Sequence, residues 1–179
     1  MDSQNVVPIS AHRLEDYLSP IASLLKQIIQ QGGFALSFAA HPVLQEYSDV
    51  EAPGYVEDFT GADADLLLER NGALLDALEH VVLKAVRLPE AHIGKITFDC
   101  KEWRRLRAEE LKLTAQIAAE RVVETGDPFA LSPMTPWERR IVHLALRDRP
   151  NLRTMSEGVG PERKVVILPV RPPTHDSAR

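Results

Sequence analysis

Arg139 and His143 stand four residues apart, Arg140 and Arg147 accompany them, and a second cationic pair, Arg163 and Lys164, follows a stretch bent by Gly158 and Gly160. A guanidinium is a planar, permanently charged fork that matches a phosphate or stacks on a flat ring. An imidazole can stack too, or donate to an anion as it gains charge at about pH 6 to 7. On a helix, residues four apart lie one above the other, so Arg139, His143 and Arg147 would form one cationic face. A basic helix face beside a basic, glycine-bent hairpin points to an anionic ligand.

Those side chains need a helix and two strands to hold them, and the local sequence supplies both. Thr135 can cap free helix amides, Glu138 three residues on can return the bond, and Pro136 fills the first helical position, where a missing N–H costs nothing. The helix is predicted from Pro136 to about Arg147, with Ile141, Leu144 and Leu146 as its apolar contacts. Leu152 to Glu157 and Arg163 to Leu168 then read as two strands joined through Gly158 and Gly160, with β-branched Val165, Val166 and Ile167 in the second.

The order Pro133-Met134-Thr135-Pro136-Trp137-Glu138-Arg139-Arg140, the Arg-x-x-x-His spacing of Arg139 and His143, and Ser156-Glu157-Gly158-Val159-Gly160 followed by Arg163-Lys164-Val165-Val166-Ile167 resemble the R-x-x-x-H domain. Upstream, Leu67 to Leu78 resembles the second-helix region of a type II KH domain. Together they resemble the KH plus R-x-x-x-H half of the bacterial Jag family, also called KhpB or EloR. The resemblance implies single-stranded nucleic acid as ligand, RNA before DNA, with Arg139, His143, Arg140, Arg147, Ser156, Gly158, Arg163 and Lys164 as its contacts. It also implies a small KH-domain protein, or self-association, as a protein partner. No stretch here resembles the separate N-terminal module that the family carries.

In a working KH domain, a Gly-x-x-Gly turn between two helices lets a phosphate backbone come close to a helix N-terminus. The resemblance places Glu69-Arg70-Asn71-Gly72 in that turn, with a carboxylate where the first glycine belongs. A unit charge about 4 Å from a phosphate costs roughly 1 kcal/mol in water and about 4 kcal/mol at an effective dielectric of 20. Arg70 offsets part of that, but it cannot restore the approach a missing side chain permits. The turn is therefore expected to bind nucleic acid weakly or not at all.

The rest of the chain fits around these two modules. Leu14, Leu18, Ile21, Leu25 and Ile28 recur at helical spacing until Gly32-Gly33. Phe34 to Phe38 and Tyr55 to Thr60 read as a strand pair forming a hairpin around a polar loop from Glu46 to Tyr55. An Asp at the start of the next helix can cap it; Asp63 and Asp65 lack the further ligands a metal would need. Leu74, Leu75, Leu78, Val81 and Val82 form a helix that stops before Pro89, Lys95 to Cys100 is a third strand, and Glu102 to about Glu124 is a long amphipathic helix. Arg104, Arg105 and Arg107 crowd its first half and are expected on a solvated face with Glu102, Glu109 and Glu110. Pro128 to Leu131 is a short strand.

The expected architecture is α+β: residues 1–10 a leader, 11–126 a type II KH-like domain (α-β-β-α-α-β) ending in a shared long helix, 127–170 the R-x-x-x-H domain, 171–179 a disordered tail. With no Gly/Ser-rich tract between the modules, rigid coupling is expected. The chain of 179 residues is 44% hydrophobic, enough for a core. No apolar run approaches the roughly 18 residues of a membrane span, and the first residues lack a secretory signal, so no membrane and a cytosolic location are expected. Cys100, the one cysteine, excludes an internal disulfide and reads as a buried strand thiol.

The net charge of −5 opposes an anionic ligand until it is divided along the chain. Residues 1–100 hold 6 Lys and Arg against 15 Asp and Glu, whereas 101–179 hold 15 against 11. The C-terminal excess counts for more, because attraction acts over about 8–10 Å at moderate salt. Phosphate-loop, zinc-protease and nucleophile-elbow motifs are all missing, and Glu138 already has a capping task, so neither an enzyme nor a cofactor or metal is expected. The alternative to a nucleic-acid binder is an adaptor that uses a degenerate KH fold for protein contacts.

Overall fold

The computed structural model describes residues 13–43 and 53–170. The expected leader, the expected tail and most of the loop after Glu46 lie outside the described residues. The chain folds as two compact units, one ending at Arg104 and the next beginning at Arg105. That division falls at the start of the long helix, whereas the sequence pattern places it after residue 126. The helix's buried residues, Leu111, Ala115, Ala118, Ala119 and Val122, all come after Arg105.

In the first unit, a short 3-10 turn (Leu14–Tyr17) leads into α1 (Leu18–Gly32), which buries Ile21 and Leu25. Gly33, at φ +69, ends α1 in the left-handed conformation that glycine adopts without strain. β1 (Leu36–Pro42) and β2 (Tyr55–Gly61) form the expected hairpin, with Phe38 opposite Phe59. The first strand starts two residues later than expected, because the Phe34 N–H is taken by the Ile29 carbonyl of α1. α2 (Ala64–Ala85) crosses over to β3 (Ile96–Cys100), which pairs parallel to β2, giving the sheet order β1-β2-β3. Phe59 and Phe98, 5.4 Å apart at their ring centroids, form the centre of this core with Ile21, Leu25, Leu67, Leu75 and Val82. Cys100 is fully buried there, and burial raises its thiol pKa, so it packs rather than reacts.

Two expectations at helix starts need correction. Asp63 does not cap α2; its carboxylate accepts instead from the Ala35 N–H at 2.7 Å and ties the end of the α1–β1 connection to the start of α2. Of the three arginines expected on a solvated face, only Arg105 behaves so, pairing with Glu109 one turn on. Arg104, 13% exposed, bonds Asp76 and Glu79 and donates from Nε to the Phe98 carbonyl, while Glu79 accepts from the Phe98 N–H. Both outward backbone groups of Phe98 on edge strand β3 are thereby satisfied by side chains, which blunts that edge.

The second unit contains the rest of α3 (Trp103–Thr125), β4 (Phe129–Ala130), α4 (Pro136–Ala145), β5 (Leu152–Glu157) and β6 (Lys164–Pro169). Its sheet has β6 in the centre, antiparallel to both β4 and β5. Val165, Val166 and Ile167 on β6 are buried, as the β-branched run predicted.

Candidate nucleic-acid interface

α4 begins as its sequence dictates. The Glu138 N–H donates to Thr135 Oγ1 at 3.3 Å, and the Thr135 N–H donates to Glu138 Oε2 at 2.7 Å, a complete capping box with Pro136 in the first turn. The other Glu138 oxygen accepts from Arg107 Nε of α3 at 2.7 Å, with the two side chains 6% and 14% exposed. Spacing could not show this contact: residues 31 positions apart meet only once the unit has folded.

The Leu131 N–H donates to the Val165 carbonyl and the Met134 N–H to the Arg163 carbonyl, so the chain enters α4 while still bonded alongside β6. Arg139 then donates from Nη1 to the Met134 carbonyl at 2.8 Å. This fixes the plane of a guanidinium that has further donors to offer. One turn on, His143 meets β5: Nδ1 is 2.7 Å from Thr154 Oγ1 and Nε2 is 3.0 Å from Ser156 Oγ. Burial, and then the nearby Arg139, lowers its pKa below the ordinary 6.5. The expected cationic imidazole is therefore a neutral ring committed to two hydroxyls.

The hairpin after Ser156 turns where glycine is required. Gly158 has φ +90, and a Cβ there would lie 2.8 Å from the Glu162 carbonyl oxygen, so any other residue would force the turn open. Arg163 and Arg140 are exposed, and Lys164 sits directly opposite Glu157 in the register, which tempers the charge of that pair. Arg147 does not extend the cationic face. α4 stops at Ala145, and the Arg147 and Arg149 N–H groups bond back three residues in tight turns before Pro150. From that turn Arg147 Nε lies 3.4 Å from Asp148.

The structure thus brings together Arg139, His143 and Ser156, with Arg163 joined to the Arg139 end through Met134. Thr154 was missed by sequence reasoning, although strand alternation with Ser156 was a signal for it: Leu152, Thr154 and Ser156 share one face of β5.

In the first unit, the Glu69-Arg70-Asn71-Gly72 segment interrupts α2 with non-helical backbone: Glu69 is extended at φ −57 and ψ 150, and Arg70, Asn71 and Gly72 have φ of +50, +59 and +74. A turn between two helices stands where the sequence placed one. Gly72 is buried, and a Cβ there would lie 2.6 Å from Trp103 Nε1. Among the described residues, no group of three or more His, Cys, Asp or Glu could hold a metal ion, and no helix is long and apolar enough to cross a membrane.

A capped helix that holds Arg and His one turn apart against a glycine-turned hairpin marks the second unit as an R-x-x-x-H domain, and the family model of that domain matches residues 109–169. The chain belongs to the KhpB family, also called Jag. It is 30% identical over 159 residues to the RNA-binding protein KhpB of Clostridium symbiosum, covering 89% of this chain and 69% of that protein. It is 34% identical over 110 residues to the RNA-binding protein KhpB of Bacillus subtilis (strain 168), covering 60% of this chain and 53% of that protein. The match to the RNA-binding protein KhpB of Lactiplantibacillus plantarum is 30% over 110 residues, with 62% and 34% covered. The matched stretch therefore spans from about a third to about two thirds of the length of these relatives.

Proposed function

We propose that this protein binds single-stranded nucleic acid, RNA before DNA, and grips the phosphate backbone through its second unit. The observation that carries this reading is Arg139, held by the Met134 carbonyl with donors to spare, beside the Ser156 hydroxyl and the exposed Arg163. The relatives' names as RNA-binding proteins support RNA over DNA. Every part of the site is a donor or a positioner of donors, and none is a free base beside a nucleophile, which favours binding over catalysis. The test is titration of a labelled single-stranded oligoribonucleotide at two salt concentrations with the intact chain and with Arg139→Ala plus His143→Ala. Saturable, salt-weakened binding that the double variant loses is expected; unchanged affinity removes this face from the interface.

The first unit is read as a type II KH-like domain whose turn carries Glu69. Its backbone at Glu69 is one any residue adopts, so the carboxylate acts on a ligand by charge rather than by strain. Glu69→Gly is expected to strengthen oligonucleotide binding, and no change would mean that the turn is not near the ligand. A second reading, as a protein-contact surface for a small KH-domain protein or a second copy, is favoured by Leu74 and Val81 on α2, 43% and 56% exposed and seven residues apart on one face. An adaptor of that kind would show neither saturation by oligonucleotide nor a salt slope.

A further inference from the structure

His143 spends both ring nitrogens inside the protein, on Thr154 Oγ1 and Ser156 Oγ. A neutral imidazole donates at one nitrogen and accepts at the other, whereas each hydroxyl can do either. Two proton arrangements are therefore open to the trio. In one, Nδ1–H donates to Thr154, and Ser156 turns its own O–H onto Nε2, leaving lone pairs to face outward. In the other, the Thr154 O–H donates to Nδ1, Nε2–H donates to Ser156 Oγ, and the Ser156 proton is released to point away from the ring. An ionised phosphodiester can accept a hydrogen bond but has none to donate. It must therefore select the second arrangement.

We propose that the Ser156 hydroxyl donates to a backbone phosphate of the bound strand, and that His143 and Thr154 are positioning residues which aim it by holding the Nε2–H tautomer. The proposal rests on the reading of this face as a backbone grip. Its geometry supports a relay over a direct imidazole contact. Ser156 is half-buried at the end of β5, next to the glycine turn and across β6 from the chain that carries Arg163. Thr154 and Ser156 neighbour the apolar Ile167 and Val165 on β6, so the trio's polar partners are one another. The signature histidine thereby acts through a serine rather than on the ligand.

Two measurements on the full chain decide it. The first is a double-mutant cycle with a labelled single-stranded oligouridylate. Ser156→Ala and His143→Ala should each weaken binding by about fivefold to tenfold, the worth of one charge-assisted hydrogen bond. The double variant should be no weaker than either, because one bond is lost in all three. Multiplying losses would show that His143 touches the ligand by itself and would overturn the relay. Thr154→Val, which keeps the shape, should also weaken binding without unfolding the unit.

The second measurement is nitrogen NMR of the His143 imidazole in the unaltered protein, so it stands even if a variant fails to fold. Adding the oligonucleotide should drive the ring to Nε2–H, and a bound state with Nδ1–H would sink the proposal. Arg139→Ala separates the two levels. If that variant weakens binding while Ser156→Ala does not, the interface stands and the relay falls; if Arg139→Ala changes nothing, the interface itself falls.

Discussion

Glu57 is the residue whose burial is hardest to reconcile with its charge. It sits on the central strand β2, between Ala40 and Phe98 in the register, is 1% exposed, and neither carboxylate oxygen has a hydrogen-bond partner among the described residues. Burial raises its pKa above the ordinary 4.5, with His41 pulling the other way. The folded state thus holds this proton more tightly than the unfolded chain does. The associated stability is full below about pH 4.5 and is lost as pH rises through the folded-state value. Glu57→Gln should flatten that dependence, and Glu57→Met, which removes the unpartnered oxygens at similar volume, should raise stability at neutral pH by ~1–3 kcal/mol. Urea unfolding at acid and neutral pH checks both, and a Glu57→Met protein less stable than the parent would show an unseen partner for the carboxylate. The sequence disclosed the strand but not this burial. Val56-Glu57-Asp58-Phe59 alternates with a carboxylate on each face, and nothing local says which face is inside.

Elements were legible where their signals are local and obscure where a distant residue decides. The start of α4 was written in Thr135, Pro136 and Glu138, and the hairpin in Gly158 and Gly160; both formed as expected. The end of α4 and the partners of Arg104 and Arg107 were not legible, because a tight turn before Pro150 and contacts some 25 to 31 positions away set them. Arg107 makes α4's start dependent on α3. Glu138→Ala should cost about 3–5 kcal/mol, since it removes the cap and leaves a largely buried guanidinium with less compensation. Glu138→Gln keeps most of the capping geometry and should cost less, so thermal unfolding of the two variants separates cap from ion pair. In α2 the break at Glu69–Gly72 is held by packing: Gly72→Ala meets both a left-handed backbone and the Trp103 indole and should lose ~1–3 kcal/mol. A neutral Gly72→Ala would mean that Trp103 can move aside, and its fluorescence, read in a Trp137→Phe background, would shift to report it.

At the scale of the whole molecule the acidic total and the basic site act over different distances. At about 0.01 M salt the screening length is roughly 30 Å, so an approaching strand senses the net −5 of the chain; at about 0.15 M it is roughly 8 Å, and only the cations beside the docked phosphates count. If Arg139, Arg140 and Arg163 each neutralise one phosphate, the logarithm of affinity should fall with the logarithm of salt at a slope of about −2 above physiological ionic strength. Below it the slope should flatten or reverse, because dilution uncovers the repulsion of the fifteen carboxylates among residues 1–100. A site set on a uniformly basic protein would give a straight line throughout. Titration of a labelled oligoribonucleotide from about 0.01 M to about 0.3 M salt distinguishes the two. Arg163→Gln should reduce the high-salt slope by about 0.7 while leaving the low-salt curvature in place. A straight plot to the lowest salt would mean that the acidic charge does not reach the bound strand, and that the site works as if the rest of the chain were neutral.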